Sequence, residues 1–219
     1  MKSSGAAGAD DIFARFNVSR ESQARLKLYA DLLRRWNAQI NLVSQDSVAN
    51  LWERHVADAL QLRPYIEPAR TIIDLGAGAG LPGLVLGLAY PEYQVMLIES
   101  NGKKASFLRE VARQARISVK VIQDRIERVD SDPYRSSNPV ITARAVAPLR
   151  QLLELALPFL SSGRGLFHKG RDVGRELTEA TKTWIIQYIR HPSMIDPSGA
   201  ILEILEVRRS HEPDRTLGR

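Results

Sequence analysis

From Ser19 onward the apolar residues Leu26, Tyr29, Leu33, Trp36 and Ile40 recur at steps of three and four. That spacing places them on one face of a helix with Ser19 as its N-cap. Arg25, Lys27, Arg34 and Arg35 fall on the opposite face. A second helical stretch is expected from Ser47 to Leu62, closed by Pro64. The opening residues are rich in Ser, Gly and Ala with no recurring apolar position, so no structure is expected before Ser19. The chain therefore divides into a disordered start over 1–18, a helical N-terminal extension over 19–66 and a main domain over 67–219.

The pattern changes at Arg70. Short apolar runs rich in β-branched residues now alternate with helical stretches, and the runs Thr71 to Leu75, Gln94 to Ile98, Val119 to Ile122, Val140 to Thr142 and Leu166 to Phe167 read as strands. Helices are expected between them at Pro82 to Ala89, Lys103 to Arg116, Leu149 to Leu157 and Asp172 to Trp184. Pro192, Pro197 and Gly199 punctuate the end of the chain, and Ala200 to Val207 is expected to add a final hairpin strand. Such βαβα alternation predicts an α/β domain, a mostly parallel sheet covered by helices on both faces.

One strand ends in a special way. Ile72-Ile73-Asp74-Leu75 runs into Gly76-Ala77-Gly78-Ala79-Gly80-Leu81-Pro82-Gly83 and then into a helix. Glycines at that point allow positive φ and a close ligand approach, and free amides at a helix start supply donors. The next strand leads to Glu99, where a carboxylate can accept hydrogen bonds from the two hydroxyls of a ribose. Loop and acid together describe a nucleotide-type site. Counted from Gly78 the segment matches G-x-G-x-x-G, the pattern of dinucleotide sites. Counted from the apparent strand end at Leu75, Gly76 is the first loop glycine, and Asp74 stands where it can reach the amino-acid end of a bound cofactor. Both registers stay open on this pattern.

Composition narrows the chemistry. The 219 residues include no cysteine, which excludes disulfides, thiolate-bound metals and cysteine nucleophiles, and fits a cytoplasmic setting; no metal site is expected. Neither a secretion signal nor a run long enough to span a membrane is present in the pattern. Lys and Arg number 31 against 25 Asp and Glu, a formal charge of +6 that favours polyanionic partners. Between 101 and 120, Lys103, Lys104, Arg109, Arg113, Arg116 and Lys120 face one acid, Glu110. A solvated helix face is the simpler reading of such a run. Arg144 and Lys169 are more pointed, because each follows an apolar strand at the edge where ligands of open α/β sheets bind.

The loop Asp74-Leu75-Gly76-Ala77-Gly78-Ala79-Gly80 closely resembles that of S-adenosylmethionine-dependent methyltransferases. Tyr29 to Asn37, Asn41 to Ser44, Glu53 to Leu60, Gly102 to Leu108, Thr142 to Leu149 and Lys169-Gly170 resemble, in order, the signatures of the RsmG (GidB) family. Its members methylate N7 of a guanine in 16S ribosomal RNA of the small subunit. The resemblance spans roughly residues 20 to 170. It implies a Rossmann-like class I methyltransferase fold with a seven-stranded, mostly parallel sheet flanked by helices. It also implies S-adenosyl-L-methionine held by Asp74, Gly76, Gly78, Leu81, Glu99, Ile126, Glu127 and Arg144. His55, Asp58, Lys103, Lys104 and Lys169 are then expected toward the RNA or the small ribosomal subunit, with no membrane and no stable protein partner. Arg144 and Lys169 would orient the reacting groups, since guanine N7 already carries an in-plane lone pair and needs no general base. Two departures stand out, Ala59 where relatives often have serine and His168 where an apolar residue is common. Two other classes remain as alternatives: an NAD-linked oxidoreductase and a non-catalytic RNA-binding protein that keeps a cofactor fold.

Overall fold

The computed structural model describes residues 8–68 and 70–210. Four helices open the chain: α1 (Ala9–Arg15), α2 (Arg20–Ile40), α3 (Gln45–Ala49) and, after a π-helical turn over Trp52–Ala57, the short α4 (Asp58–Leu60). Ser19 caps α2 as its sequence predicts, its hydroxyl accepting from the Ser22 amide at 3.2 Å. Leu26, Tyr29 and Leu33 are fully buried along the expected stripe, and Trp36 and Ile40 are packed at its edge. The single helix expected from Ser47 to Leu62 is instead broken into α3, the π-turn and α4.

Alternating strands and helices follow: β1 (Thr71–Leu75), α5 (Gly83–Ala89), β2 (Gln94–Ile98), α6 (Gly102–Ala115), β3 (Val119–Ile122), β4 (Val140–Arg144), α7 (Leu149–Leu160), β5 (Arg164–Lys169), α8 (Val173–Thr181), β6 (Trp184–Pro192) and β7 (Ala200–Arg209). The seven strands lie in the order β3-β2-β1-β4-β5-β7-β6. β1 to β5 pair in parallel, and β7 runs antiparallel between β5 and β6. A dinucleotide-binding sheet has the order 3-2-1-4-5-6, so the inserted antiparallel β7 sets this fold apart. Strand order reverses between β1 and β4. Leu75 pairs with Ile98 on one side and Ala143 on the other, so the carboxyl ends of β1, β2 and β4 are level and form a crevice of the kind that binds ligands.

Both ends of the chain depart from the expectation. Residues 9–15 of the start expected to be disordered form α1, and Ile12 and Phe13 are 1 % and 2 % exposed in the main core; residues 1–7 of that expectation lie outside the described residues. α1 and α2 share one apolar cluster with α5, α6 and residues of β1 and β2, so the N-terminal helices lie over one face of the sheet. α7 and α8 cover the opposite face. The helix expected to reach Trp184 stops at Thr181, and Trp184–Pro192 becomes the edge strand β6, which the local pattern does not predict. Its run Trp-Ile-Ile-Gln-Tyr-Ile carries apolar residues at both helical and strand periods, and pairing with β7 decides between them.

If α1 belongs to the core, Phe13→Ala costs about 3 to 5 kcal/mol of unfolding free energy. Chemical denaturation reads this directly, and a loss below ~0.5 kcal/mol, as for a surface change, contradicts the packing.

Candidate functional site

β1 ends at Leu75, so the loop is counted from Gly76 and the register that starts at Gly78 is set aside. Gly76 and Gly78 adopt φ of +64° and +56°, which side chains resist. A Cβ at Gly76 would stand 2.9 Å from Val146 Cγ2, whereas at Gly78 it would meet only the Gly76 carbonyl oxygen at 3.7 Å. Backbone is thus bare at Gly78 and tightly walled at Gly76.

The loop is tied from four directions. The Ala77 amide donates to the Ile98 carbonyl at 3.0 Å, and the Gly78 amide donates to Glu99 Oε2 at 2.8 Å. Glu99 Oε1 accepts from the Asn101 amide at 2.7 Å, and Asn101 Oδ1 caps α6 by accepting from the amides of Lys103 and Lys104. From α2, the buried Tyr29 hydroxyl donates to the Ala79 carbonyl at 2.9 Å. Beneath lies Asp74, which is 0 % exposed. Its Oδ2 accepts from the Gly83 amide at 3.0 Å and its Oδ1 from the Thr142 hydroxyl at 2.8 Å. Burial pushes this carboxyl up to about 7 against the opposing effect of those two bonds and of Arg144. Asp74 therefore braces the loop from behind instead of presenting its carboxylate to a ligand, the role expected from sequence.

A second cluster sits at the ends of β4 and β5. Arg144 Nη1 donates to Asp58 Oδ2 at 2.7 Å and to the Arg54 carbonyl at 3.2 Å, while Nη2 lies 2.6 Å from His55 Nδ1. A guanidinium only donates, so His55 Nδ1 accepts and the ring proton resides on Nε2. Burial first, and the Arg144 charge next, hold His55 down to about 4, so it is neutral. Asp58 Oδ1 accepts from Gln61 Nε2 at 2.7 Å, and His168 Nε2 donates to the Asp58 carbonyl at 2.8 Å. Burial lowers the His168 pKa as well. His55 and Asp58, three residues apart, do not bond to each other; Arg144 joins both, at a π-helical turn of the kind common at functional sites.

Lys169 is enclosed. Its side chain is 6 % exposed, and Nζ donates to Glu176 Oε2 at 2.7 Å and to the Ala147 carbonyl at 3.0 Å. The same Glu176 oxygen accepts from the Leu149 amide at 2.6 Å. Lys169 thus clamps the loop from Ala145 to Pro148, where Ala145 is held at φ +56°, and offers no free charge to a substrate. Val146, from that loop, both walls Gly76 and lines a cleft of about 1220 Å³ between the π-turn, the ends of β4 and β5, the start of α8 and the β6–β7 turn. Glycine loop and cleft meet at Val146.

The remaining expected residues lie farther along the edge. Leu81 is buried at the end of the glycine loop. Ile126 is half-buried and Glu127 exposed in a 3-10 turn beyond β3. Lys103 and Lys104 sit in the first turn of α6, on the Glu99 side of the crevice, and do not line the cleft. The sequence pattern assigns Tyr29 to the core without revealing its bond to the loop, and does not single out Arg54; no local motif signals either. Among the described residues no cluster of His, Asp or Glu could hold a metal, and no helix is long and apolar enough to cross a membrane.

The buried Asp74 makes stability depend on pH with a definite sign. Its pKa is higher folded than unfolded, about 7 against about 3.9. The stability it lends is complete below the unfolded value and is lost as pH rises through about 7. In Asp74→Asn the amide can still accept from Gly83 and donate to Thr142, without the charge. Thermal melts between pH 4 and 8 should therefore show Asp74→Asn gaining on the wild type as pH rises; a constant difference contradicts a buried titrating carboxyl.

Comparison with known proteins agrees with this architecture. The family model GidB, rRNA small subunit methyltransferase G, matches residues 22–203. The ribosomal RNA small subunit methyltransferase G of Paramagnetospirillum magneticum is 48 % identical over 205 residues, covering 92 % of this chain and 97 % of that protein. Its namesake from Gluconobacter oxydans is 47 % identical over 193 residues, 88 % of this chain and 97 % of the other. Among solved structures, M. jannaschii TYW2 in complex with AdoMet superposes with a TM-score of 0.53 at 16 % identity, covering 78 % of this chain and 80 % of that one, a likeness of fold. Identity near one half across nine-tenths of both partners goes beyond a shared fold, and the chain belongs to the GidB family, rRNA small subunit methyltransferase G.

Proposed function

We propose that this chain transfers the methyl group of S-adenosylmethionine to N7 of a guanine in 16S ribosomal RNA, as RNA or within the small subunit. The carrying observation is that the basic groups clustered around Arg144 and Lys169 are already engaged: Asp58 by Arg144, Glu176 by Lys169, and His55 Nδ1 by Arg144. His168 keeps only a buried Nδ1. Such a cluster suits an acceptor that has no proton to lose, and guanine N7 presents an in-plane lone pair.

The residues present fit the cofactor. The bare backbone at Gly78 and the walled turn at Gly76 form a cradle that a Cβ would obstruct, and Leu81 closes its end. Glu99, with a carboxylate at the cradle's rim, suits ribose hydroxyls; Ile126 and Glu127 border the adenine side. When bound, S-adenosylmethionine supplies an electrophilic methyl group on a sulfonium. Arg144 faces that end of the crevice, fixed by Asp58 and His55 so that its orientation is set before the reactants arrive. Asp74 and Tyr29 hold the cradle, and Lys169 holds the Val146 wall between methyl donor and base. The reaction belongs where ribosomal subunits are made, in the cytoplasm. An NAD-linked reading finds no support in the glycine register or in the sheet order.

Incubation with labelled S-adenosylmethionine and small-subunit RNA should yield 7-methylguanine, whereas no label in RNA would overturn the reading. Arg144→Lys keeps a cation beside Asp58 but loses the planar fork that also reaches His55. It should melt close to the wild type while single-turnover methylation falls roughly 10²-fold, the scale of a lost positioning contact. Normal turnover in that variant removes Arg144 from the mechanism.

A further inference from the structure

The RNA contacts expected from sequence are largely unavailable. Lys169 is sealed under the Ala145 to Pro148 loop, and Asp58 and His55 are consumed by Arg144. What the cleft does offer is four exposed guanidinium groups around its mouth: Arg54 from the π-turn, Arg150 at the start of α7, Arg171 after β5 and Arg175 in the first turn of α8. Among the described residues none of the four has an ion-pair partner within 4 Å, whereas on α2 Arg25, Lys27 and Arg34 are each matched to an acid. Two acids of the mouth are occupied elsewhere, Glu53 by Arg15 and Glu179 by Lys182.

These four groups fall into two sets. Asp196 is held below the usual carboxylate range chiefly by its bonds to Ser198, with Arg171 and Arg54 as the nearby charges. Glu179 is lowered chiefly by Lys182, with Arg175 and Arg150 as the further charges. Arg150 and Arg175 open α7 and α8, which pack against each other, whereas Arg54 lies on the π-turn and Arg171 follows β5; Asp58, Arg144 and His168 line the cleft with them. The cleft, about 1220 Å³, exceeds the roughly 300 to 1,000 Å³ of a small-molecule pocket. A nucleotide with its flanking backbone is the occupant that uses both the volume and the two separated cationic sets.

We infer that the RNA strand crosses this cleft with its backbone phosphates gripped on either side of the target nucleotide, by Arg54 and Arg171 on one side and by Arg150 and Arg175 on the other. The inference rests on the proposed RNA-methylating function and assigns to it a binding surface distinct from α6. The base then enters toward Val146, the wall shared with the glycine loop, while the sugar-phosphate chain stays at the mouth. Because the grip is electrostatic, it holds substrate without touching the methyl donor.

The test uses the full chain and a fragment of small-subunit RNA that the wild type binds, with affinity read against salt. Arg54→Gln/Arg171→Gln and Arg150→Gln/Arg175→Gln are compared with Arg34→Gln/Arg135→Gln, which removes the same charge from paired surface sites away from the cleft. Each cleft pair should reduce the slope of log K against log[salt] by about 1.4, two single-strand phosphate contacts, and the four together by about 2.8. KM for RNA should rise about tenfold per pair with kcat within twofold and S-adenosylhomocysteine affinity unchanged; the control pair should move none of these. Wild-type slope and KM in both cleft pairs overturn the grip. So does a loss equal to that of the control pair, which would reduce it to net charge. Binding is measured apart from methyl transfer, so RNA bound without transfer defeats the catalytic reading while the slopes still decide the grip.

Discussion

A carboxylate with no exposure to water organises this molecule. Asp74 sits near the carboxyl end of β1, and by accepting from Gly83 and Thr142 it fastens together the strand, the start of α5 and the neighbouring β4. Burying such a group is costly, and two hydrogen bonds offset the cost only while both donors stay in place. The return path of the chain from β1 is therefore fixed, and with it the glycine turn above. Tyr29 adds a second constraint from the N-terminal helices of the same layer, reaching from α2 to the Ala79 carbonyl. The N-terminal helices thereby help to build the cradle.

Arg144 carries that logic to the other side of the crevice. It ends β4, the strand that Thr142 ties to Asp74, and it reaches across to Asp58, His55 and the Arg54 carbonyl around the π-turn. A guanidinium can satisfy three acceptors at once because its donors are spread over a rigid plane. The consequence is that the helical layer and the sheet edge meet at one side chain, level with the glycine loop. On the adjacent strand, Lys169 acts in a similar way, holding a loop that contains a non-glycine residue at positive φ. Sequence points both side chains toward substrate, yet both spend their charge first on architecture.

Much of this is legible in the chain. The alternation of apolar runs locates β1, β2 and β3 to the residue, and a strand ending at Leu75 sets the glycine register, because strand and turn chemistry are written locally. The same alternation places Glu99 and Arg144 at the carboxyl ends of their strands, the edge where the glycine loop lies. What escapes are features set by distant partners. α1 is too short and polar to announce itself until Ile12 and Phe13 meet the layer around Trp52. β6 resembles the end of a helix because its pairing with β7 lies outside any local window. Asp74 reads as a ligand contact since nothing in its neighbourhood reveals Thr142, 68 residues away, as its partner. Free arginines at the cleft mouth are likewise visible only once Glu53 and Glu179 are seen to be engaged by Arg15 and Lys182.

A methyl-donor cradle held in shape by bonds from distant elements is the central claim, and of those bonds the Tyr29 hydroxyl to Ala79 is the cleanest to remove. Calorimetric titration of S-adenosylhomocysteine into wild type and Tyr29→Phe tests it most directly. Loss of one neutral hydrogen bond, about 1 kcal/mol, should weaken binding roughly fivefold while the folded state persists. Equal affinity in the two proteins, or no binding to the wild type, would contradict the claim.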